Sequence, residues 1–272
     1  MDFTARRQAF RQLHQSGCFV IPNPWDVGSA RYLQRLGFQA LATTSSGAAW
    51  SRGHPDGGMG LDDTLAHLRE MVAATELPVN ADFEAGFAGD AAGVARNVRA
   101  AIATGVAGLS IEDSTGDADR PLRDIASAVE RMRAARAAID ESGQDVLLVG
   151  RAENFFAGAP DLVDTIRRLK AYSEAGADCL YAPGIQTREQ IVAVVAAVSP
   201  KPVNLLIGSA SPLTVDDVKA LGVRRISVGG ALARSAWGGF QRAAQLIARE
   251  GRFDGFAGAA SGAELNAFFR GA

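Results

Sequence analysis

Short apolar segments alternate with longer amphipathic segments along almost the whole chain. Apolar runs of this length predict buried strands, and the amphipathic segments predict helices. We predict strands within CFVIPNP (18–24), RLGFQALATT (35–44), PVNADF (78–83), ATGVAGLSIED (103–113), DVLLVGRA (145–152), EAGADCLYAPG (174–184), PVNLLI (202–207) and ALGVRRISVGG (220–230). We predict helices near 28–37, 61–75, 91–104, 122–141, 161–175, 187–198, 214–221 and 231–249.

Strands that alternate with helices form parallel βαβ units, which place the chain in the α/β class. Eight such units without a long linker favour a closed (β/α)8 barrel of the TIM type over an open sheet. No Gly-x-Gly-x-x-Gly motif follows the first strand, so a dinucleotide-binding fold is disfavoured. Four glycines fall where a helix end needs a left-handed residue, namely Gly37, Gly105, Gly176 and Gly222.

The last residues form a separate feature of the pattern. We assign residues 1–250 to the barrel and 251–272 to a linker and a C-terminal helix. Ser261 and Glu264 form a capping box that starts this helix, and one apolar face carries Leu265, Phe268 and Phe269. That face must be buried, either on the chain's own barrel or on a neighbouring subunit.

Composition narrows the function classes. The chain has 272 residues and a formal net charge of −2, so it has no basic excess for nucleic acid or an anionic membrane. No apolar run reaches the roughly 20 residues of a membrane span, and the N-terminus lacks the apolar core of a signal peptide. Cys18 and Cys179 lie in apolar segments and are interpreted as core residues, which favours a cytoplasmic location.

Two segments break abruptly from apolar residues into acids: VNADFEAG (79–86) and LSIEDS (109–114). Asp82, Glu84, Glu112 and Asp113 are expected at the strand ends, and if the two strands are neighbours, several of these carboxylates crowd one small volume. Carboxylates at such distances repel one another unless a cation or protons compensate them. Hard oxygen ligands favour Mg2+, with Mn2+ as the alternative. The competing interpretation is that these acids cap the helices that follow.

In a (β/α)8 barrel the chemistry lies at the carboxyl ends of the strands. The polar and small residues predicted there are Asn23, Trp25, Asp26, Thr43, Thr44, Ser45, Ser46, Gly47, Asp82, Glu84, Glu112, Asp113, Arg151, Glu153, Tyr181, Asn204, Ser227 and Gly229. This set suits a small anionic substrate that is chelated to a metal. Arg151 could pair with a substrate carboxylate or with the neighbouring acids, and both could hold at once. Backbone N–H groups at Ser46 and Gly47 could bind a second carboxylate.

The loop after the second strand is rich in glycine and contains His54 and Asp56. Asp56 could reach inward to the water molecules around a metal. Equally, Pro55-Asp-Gly-Gly58 is an ordinary turn signal. His54 is expected to be solvated.

Motifs spread over nearly the whole chain resemble the phosphoenolpyruvate mutase/isocitrate lyase superfamily. They are, in order, PNPWDVGSARYLQRLGFQALATTSSG, HPDGG, VNADFEAGF, GLSIEDS, VGRAENFF, EAGADCLYAPG, PVNLL and RRISVGGALAR. The resemblance implies a Mg2+-dependent barrel, often tetrameric, that acts on 2-oxo or 2-hydroxy carboxylates. It also implies a homo-oligomer, dimer or tetramer, and shifts the C-terminal helix towards exchange between subunits.

Carried over residue by residue, the resemblance implies that Asp82 is the direct metal ligand. Asp56, Glu84 and Glu112 resemble the acids that hold metal-bound water. Ser46 and Gly47 resemble the site of the substrate carboxylate, and Arg151 the residue over the substrate oxygens. Taken with the strand-end residues, we expect catalytic roles for Arg151, Glu112 and Glu153, and substrate contacts from Trp25, Ser45, Ser46, Gly47, Arg151, Tyr181 and Asn204.

The segment after the fourth strand departs from the family pattern. The lyases carry Lys-(Lys/Arg)-Cys-Gly-His there, and the phosphonate enzymes carry lysine and asparagine. Residues 113–122 contain no lysine, cysteine, histidine or asparagine, and Tyr181-Ala-Pro-Gly184 stands where some mutases have a histidine. Neither well-known activity therefore transfers directly.

The reduced lid favours a reaction that needs little proton transfer. Loss of CO2 from a 2-oxo dicarboxylate leaves an enolate that a chelated metal stabilises, so we predict a carbon–carbon lyase of the oxaloacetate decarboxylase type. The alternatives are cleavage of a (methyl)isocitrate-like acid with Glu112, Glu153 or Tyr181 in place of the lid groups, P–C chemistry on phosphonopyruvate with Arg120 as the basic lid residue, and a 2-oxo acid binding protein without turnover.

Overall fold

The computed structural model describes residues 2–271, which fold around one barrel of eight parallel strands. The strands are β1 (Phe19–Ile21), β2 (Leu41–Ala42), β3 (Val79–Asp82), β4 (Gly108–Glu112), β5 (Leu147–Arg151), β6 (Cys179–Tyr181), β7 (Val203–Leu206) and β8 (Arg225–Ser227). The helices are α1 (Thr4–Leu13), α2 (Val27–Arg35), α3 (Ser45–Ser51), α4 (Leu61–Ala74), α5 (Ala91–Ala103), α6 (Ile125–Glu141), α7 (Leu162–Glu174), α8 (Arg188–Val198), α9 (Val215–Ala220), α10 (Ala231–Glu250) and α11 (Gly262–Arg270).

The strands pair in the order β1-β8-β7-β6-β5-β4-β3-β2, and every pair is parallel. The Ala42 N–H donates to the Pro22 carbonyl oxygen at 3.1 Å, which joins the β1 and β2 edges of the sheet. The sheet is therefore nearly closed, and the predicted (β/α)8 fold is confirmed.

Local sequence signals set the ends of the helices. Asp26, Asp90, Asp124 and Asp161 precede α2, α5, α6 and α7, and each side chain accepts a hydrogen bond from the backbone of the first helical turn. The four glycines singled out in the sequence all have positive φ, between +86° and +102°. The chain can turn sharply from each helix into the next strand because glycine has no Cβ to obstruct that conformation.

Helix α1 covers the amino-terminal end of the barrel. Phe10 is fully buried there, in contact with β1, β2 and the start of β5 through Phe19, Ala42 and Leu147. The buried guanidinium of Arg7 donates to the carbonyl oxygens of Val106 and Ile102, both at 3.0 Å. The amino-terminal end is thus filled with side chains, and the opposite end remains open.

The two cysteines lie where the apolar pattern predicts. Cys179 is fully buried in the barrel beside Val149 and Tyr181, and Cys18 is partly buried against the core. Both are free thiols.

The C-terminal region extends from the barrel. Helix α10 leaves large apolar side chains exposed, namely Leu232, Trp237, Phe240 and Ile247. Helix α11 lies against α2 of the same chain, where the Phe268 and Tyr32 rings are 5.0 Å apart and Arg35 donates to the Phe268 carbonyl oxygen at 2.5 Å. Exchange of this helix between subunits and the division at residue 250 stay predictions.

Two local features differ from the sequence prediction. Residues 45–51 form the short helix α3, which the small residues of that segment did not signal. The helix predicted from residue 122 begins only at Ile125, because Leu122 bridges back to Ser114 and extends the preceding hairpin. Among residues 2–271, no helix is long and apolar enough to cross a membrane.

Candidate active site

Asp82 ends β3 and lies at the centre of the carboxyl end of the barrel. Its Oδ2 atom accepts from the Ser45 N–H at 3.0 Å and from the Ser45 hydroxyl at 2.9 Å. Its own N–H donates to the Thr43 hydroxyl at 2.9 Å. The side chain is therefore fixed by residues that follow β2, while its second oxygen, Oδ1, faces Arg151.

Arg151 ends β5 and contacts three carboxylates. Its Nη1 lies 3.1 Å from Asp82 Oδ1 and 3.1 Å from Glu112 Oε2, and its Nε donates to Glu153. Burial alone would lower the pKa of the guanidinium, but Glu153, Glu112 and Asp82 outweigh it and hold the pKa well above its ordinary value. Arg151 is therefore a permanent cation between the acids. This is the ion-pair arrangement that the sequence left open.

Glu112 and Glu153 sit on either side of Arg151. Burial raises the pKa of Glu112, with Arg151 opposing the shift and Asp82 adding to it. Ser114 donates to Glu112 Oε1 at 2.5 Å. Burial likewise raises the pKa of Glu153 to about 8, against the opposing charge of Arg151. Both oxygens of the Glu153 carboxylate accept hydrogen bonds from Arg151, from Nε and from Nη2.

Glu84 and Asp56 complete the acid cluster. Glu84 has a φ of +46°, an unusual backbone conformation for a residue with a Cβ, immediately after β3. Burial, followed by repulsion from Asp82, Glu112 and Asp56, raises the pKa of Glu84 to about 7. Burial and Asp82 also raise the pKa of Asp56. The loop after α3 brings Asp56 to the edge of the cavity, where it remains exposed to solvent, and His54 in the same loop is exposed outside the cavity lining.

The segment that follows β2 begins helix α3 with a tight packing contact. A Cβ placed on Gly47 would lie 2.8 Å from Thr44 Cγ2 and 2.9 Å from Trp25 Cβ, so only glycine fits without a shift. The Gly47 N–H donates to the Thr44 hydroxyl at 3.3 Å, and the Ser45 N–H is used by Asp82. The Ser46 hydroxyl lies 3.0 Å from the Thr44 hydroxyl, so all three predicted contacts in this turn, Ser45, Ser46 and Gly47, have partners within the chain.

A cavity of about 620 Å³ opens at this end of the barrel. Its polar side includes Ser45, Ser46, Asp56, Asp82 and Arg151. Apolar residues from the end of β7 and from the loops after β5, β6 and β7 also line the cavity, namely Phe156, Ile185, Leu206, Ile207, Pro212 and Leu213. Trp50 of α3 also lines the cavity.

Tyr181 and Asn204 lie lower in the cavity. The Arg151 guanidinium carbon is 5.3 Å from the centre of the Tyr181 ring, a cation–π contact. Burial raises the pKa of Tyr181 to about 12, so its hydroxyl keeps its proton. Asn204 is fully buried, with its amide donating to the Ser227 hydroxyl at 2.9 Å and its carbonyl accepting from Arg225 at 2.8 Å. Asn204 thus contributes to the floor of the cavity.

The structure brings together most of the residues singled out in the sequence. Asp56, Asp82, Arg151, Tyr181, Asn204, Ser45 and Ser46 line the cavity, and Glu112 and Glu153 contact Arg151. Trp25 instead packs behind Gly47. Three contributors were not anticipated: Trp50, Ser114 and the loop at 207–213. Of these, only Ser114 had a signal in the sequence, namely its position two residues after Glu112.

The sequence implies a divalent metal ion at this end of the barrel. Within residues 2–271, no three acid, thiol or imidazole groups converge on a single point as direct ligands. Three carboxylates, those of Asp82, Glu112 and Glu153, nevertheless share the single positive charge of Arg151, so negative charge is in excess at this end of the barrel. Oxygen donors with uncompensated charge fit a hard divalent cation that is held directly by one carboxylate and through water by the others.

The barrel and its acid-lined cavity define an α/β-barrel enzyme with chemistry at the carboxyl ends of its strands. The family model described as phosphoenolpyruvate phosphomutase matches residues 10–248. The chain therefore belongs to this family, within the phosphoenolpyruvate mutase/isocitrate lyase superfamily of carbon–carbon lyases and mutases.

Characterised relatives carry more than one activity. The chain is 34% identical to 2-methylisocitrate lyase of Escherichia coli (strain K12), over 68% of this chain and 64% of that protein. It is 32% identical to oxaloacetate decarboxylase of Bradyrhizobium sp. (strain BTAi1), over 84% of this chain and 79% of that protein.

Solved structures agree in fold. A provisionally named lyase/mutase from Burkholderia cenocepacia J2315 is 47% identical, with a TM-score of 0.95 over 98% of this chain and 97% of that chain. A structure of oxaloacetate acetylhydrolase with the product oxalate is 28% identical, with a TM-score of 0.85 over 98% of this chain and 94% of that chain.

Proposed function

We propose that the protein is a divalent-metal-dependent lyase that decarboxylates a small 2-oxo dicarboxylate of the oxaloacetate type. The observation that carries this proposal is the pairing of Arg151 with Asp82, Glu112 and Glu153 beneath an open cavity. The likeness to oxaloacetate decarboxylases supports the same reaction type. The short lid, which lacks a lysine, cysteine or histidine, supports a reaction with few proton transfers.

Asp82 is the proposed direct ligand of the metal, and Asp56, Glu84 and Glu112 are proposed to hold its water molecules. A bound Mg2+ or Mn2+ would supply a positive charge that stabilises the enolate left when CO2 departs. The substrate would displace part of the ion-pair network, because Arg151 has to release a carboxylate to bind one from the substrate.

The remaining roles fall to residues around the cavity. Arg151 binds and orients a substrate carboxylate through its planar guanidinium. Ser46 offers a hydroxyl and a backbone group at the start of α3. Glu153 accepts hydrogen bonds from Arg151 with both carboxylate oxygens and so orients the guanidinium, and the Tyr181 ring supports it.

Cleavage of a (methyl)isocitrate-like acid is the second candidate. It needs a base for the hydroxyl and an acid for the departing carbanion. The Tyr181 hydroxyl keeps its proton and lines the cavity, so it is available for the acid role despite the short lid. The relationship to 2-methylisocitrate lyase supports this candidate.

The deciding experiment measures pyruvate release from oxaloacetate in the presence of the protein and Mg2+. The rate is compared with that of Mg2+ alone, which gives the background. Turnover above that background, lost with EDTA and in Asp82→Ala, would support the decarboxylase. Turnover only with 2-methylisocitrate, seen as release of pyruvate and succinate, would favour the second candidate. Metal and 2-oxo acid binding without turnover of either acid or of phosphonopyruvate would overturn the enzyme proposal in favour of a binding protein.

We further propose that the protein is a homo-oligomer, a dimer or a tetramer. The apolar residues exposed on α10, among them Trp237 and Phe240, form a face that association would bury. Sedimentation velocity of the full chain tests this point. A monomer at micromolar concentration would contradict it, and Phe240→Asp is expected to weaken an oligomer.

A further inference from the structure

A buried polar network lies outside the cavity and joins the base of the lid to the catalytic arginine. Its centre is Asp113, the residue directly after β4, which is 2% exposed. Asp113 Oδ1 accepts from the Glu153 N–H at 2.8 Å. Asp113 Oδ2 accepts from Arg168 Nη1 at 2.9 Å and from the Tyr172 hydroxyl at 2.5 Å. Both donors belong to α7, so this carboxylate connects three elements.

The same guanidinium holds the far end of the lid. Arg168 Nη1 also donates to the Arg123 carbonyl oxygen at 2.8 Å, and the Arg123 N–H donates to the Asp113 carbonyl oxygen at 2.9 Å. Between them, residues 114–122 form a small hairpin that is closed by the Ser114–Leu122 bridge. Both ends of the hairpin are thus fixed to one side chain of α7.

The network also reaches the reacting groups. Glu153, whose backbone Asp113 holds, pairs through its carboxylate with Arg151. Ser114, the next residue after Asp113, donates to Glu112. A shift of Asp113 would therefore move Glu153 and Ser114 together, and with them the two acids that flank Arg151.

Removing the charged groups of Arg168 and Asp113 from water costs free energy, which their ion pair has to offset. Arg168 and Asp113 form an ion pair with side chains 8% and 1% exposed. Buried ion pairs often contribute little net stability compared with apolar residues of the same shape, and their best-supported use is to specify one arrangement. Here the arrangement that is specified includes the lid hairpin and Glu153.

We propose that Asp113, Arg168 and Tyr172 form a positioning unit that couples the lid hairpin to the Glu153–Arg151 pair. None of the three side chains needs to touch substrate. The unit fixes the hairpin base and the Glu153 backbone with respect to each other, so that the lid and the carboxylate that orients Arg151 adopt their working positions together. The expected effect on kcat rests on the proposed lyase function. The coupling between the hairpin and Glu153 does not, because it follows from the hydrogen bonds alone.

Two variants weaken the unit by different amounts. Tyr172→Phe removes one donor to Asp113 and keeps the ring. Arg168→Lys keeps the charge but cannot reach Asp113, Arg123 and Asp164 together, as the guanidinium does. Arg167→Ala is the matched control, because it removes an arginine from the same helix that is 70% exposed and contacts Asp164 instead of Asp113.

Hydrogen–deuterium exchange of the full chain tests the coupling without any substrate. We expect faster exchange in both variants at two separate places, residues 114–123 and residues 152–156, with exchange in β3 unchanged. Arg167→Ala should match the wild type. Faster exchange in the hairpin alone, or in neither segment, would overturn the proposal whether or not the protein has lyase activity.

Steady-state kinetics then tests the functional consequence. With an active substrate, kcat should fall by about tenfold in Tyr172→Phe and up to about a hundredfold in Arg168→Lys, while KM changes little, since misplacement of reacting groups acts mainly on the transition state. Asp113→Asn keeps an acceptor for the Glu153 N–H and should retain more of kcat than Asp113→Ala. Wild-type kcat in all folded variants would contradict the positioning role.

Discussion

Ser45 donates two hydrogen bonds to the same carboxylate oxygen of Asp82, one from its backbone N–H at 3.0 Å and one from its hydroxyl at 2.9 Å. The backbone donor is available because α3 begins at Ser45, three residues after the end of β2, and the first N–H groups of a helix have no partner within it. Asp82 Oδ2 is thereby held by β2, and Oδ1 is held by Arg151 from β5. The position of the proposed metal ligand thus depends on strands that lie on both sides of β3.

The first prediction concerns this pair. Ser45→Ala removes the hydroxyl donor and leaves the backbone donor, so we expect metal affinity to fall by about tenfold, the lower end of the effect of outer ligand partners. Asp82→Asn should abolish metal binding in the measurable range. Isothermal titration with Mn2+ measures both. Ser51→Ala, in the same helix but exposed, is the control, and equal loss of affinity in that variant would contradict the assignment.

The second prediction concerns the charge of Arg151. Arg151→Met leaves Asp82, Glu112 and Glu153 without their buried counter-charge, so unfolding free energy should fall by about 3–5 kcal/mol at pH 8. Acids whose folded pKa lies above the unfolded value favour folding as pH falls. The deficit should therefore shrink between pH 8 and pH 5.5.

Urea denaturation of the metal-free protein at both pH values measures this effect. Arg167→Met removes an exposed arginine and should cost little at either pH. A deficit in Arg151→Met that is the same at pH 8 and pH 5.5 would show that lost packing, and not the unpaired acids, is the cause.

Most of the barrel could be predicted from the sequence because its signals are local. Each strand is an apolar run, and glycines such as Gly105 and Gly176 mark the helix ends that precede strands. The acids at 82, 84 and 112 could be grouped because parallel strands end at the same edge of a barrel.

The parts that could not be predicted depend on contacts between distant residues. Arg168 and Tyr172 lie 55 and 59 residues after Asp113, on the buried face of the amphipathic helix α7, and nothing nearby in the sequence marks them as partners of Asp113. Helix α3 has only seven residues, of which three serines and Gly47 have weak helix preference, and it is stabilised by its cap at Thr44 and by packing of Gly47 on Trp25. The contact between Gly47 and Trp25 could not be predicted from the sequence.

The third prediction concerns pH and two buried histidines. Burial, aided by Arg225, lowers the pKa of His14 to about 3, and burial, aided by Arg52, lowers that of His67 to about 4. The unfolded chain takes up these protons near pH 6.5, so the stabilising contribution is complete above that pH and is lost as pH falls towards 4. Each histidine should contribute a slope of about 1.4 kcal/mol per pH unit.

Urea denaturation between pH 7 and pH 4.5 measures that slope. His14→Gln is expected to reduce it, since the variant has no proton to take up on unfolding. His54→Gln removes an exposed loop histidine and should leave the slope as it is in the wild type. If both variants keep the wild-type slope, His14 is not neutral in the folded protein.

The fourth prediction concerns the closed end of the barrel. Phe10 is fully buried and packs so closely on Gly108 that a Cβ there would lie 2.7 Å from its ring. Phe10→Ala should lower the unfolding free energy by about 3–5 kcal/mol, because the rigid barrel strands cannot collapse into the vacated volume. Phe253→Ala, which removes a ring that is 66% exposed, should change it by no more than about 0.5 kcal/mol. Chemical denaturation compares the two, and a loss below about 1 kcal/mol in Phe10→Ala would mean that α1 is not an integral part of the barrel core.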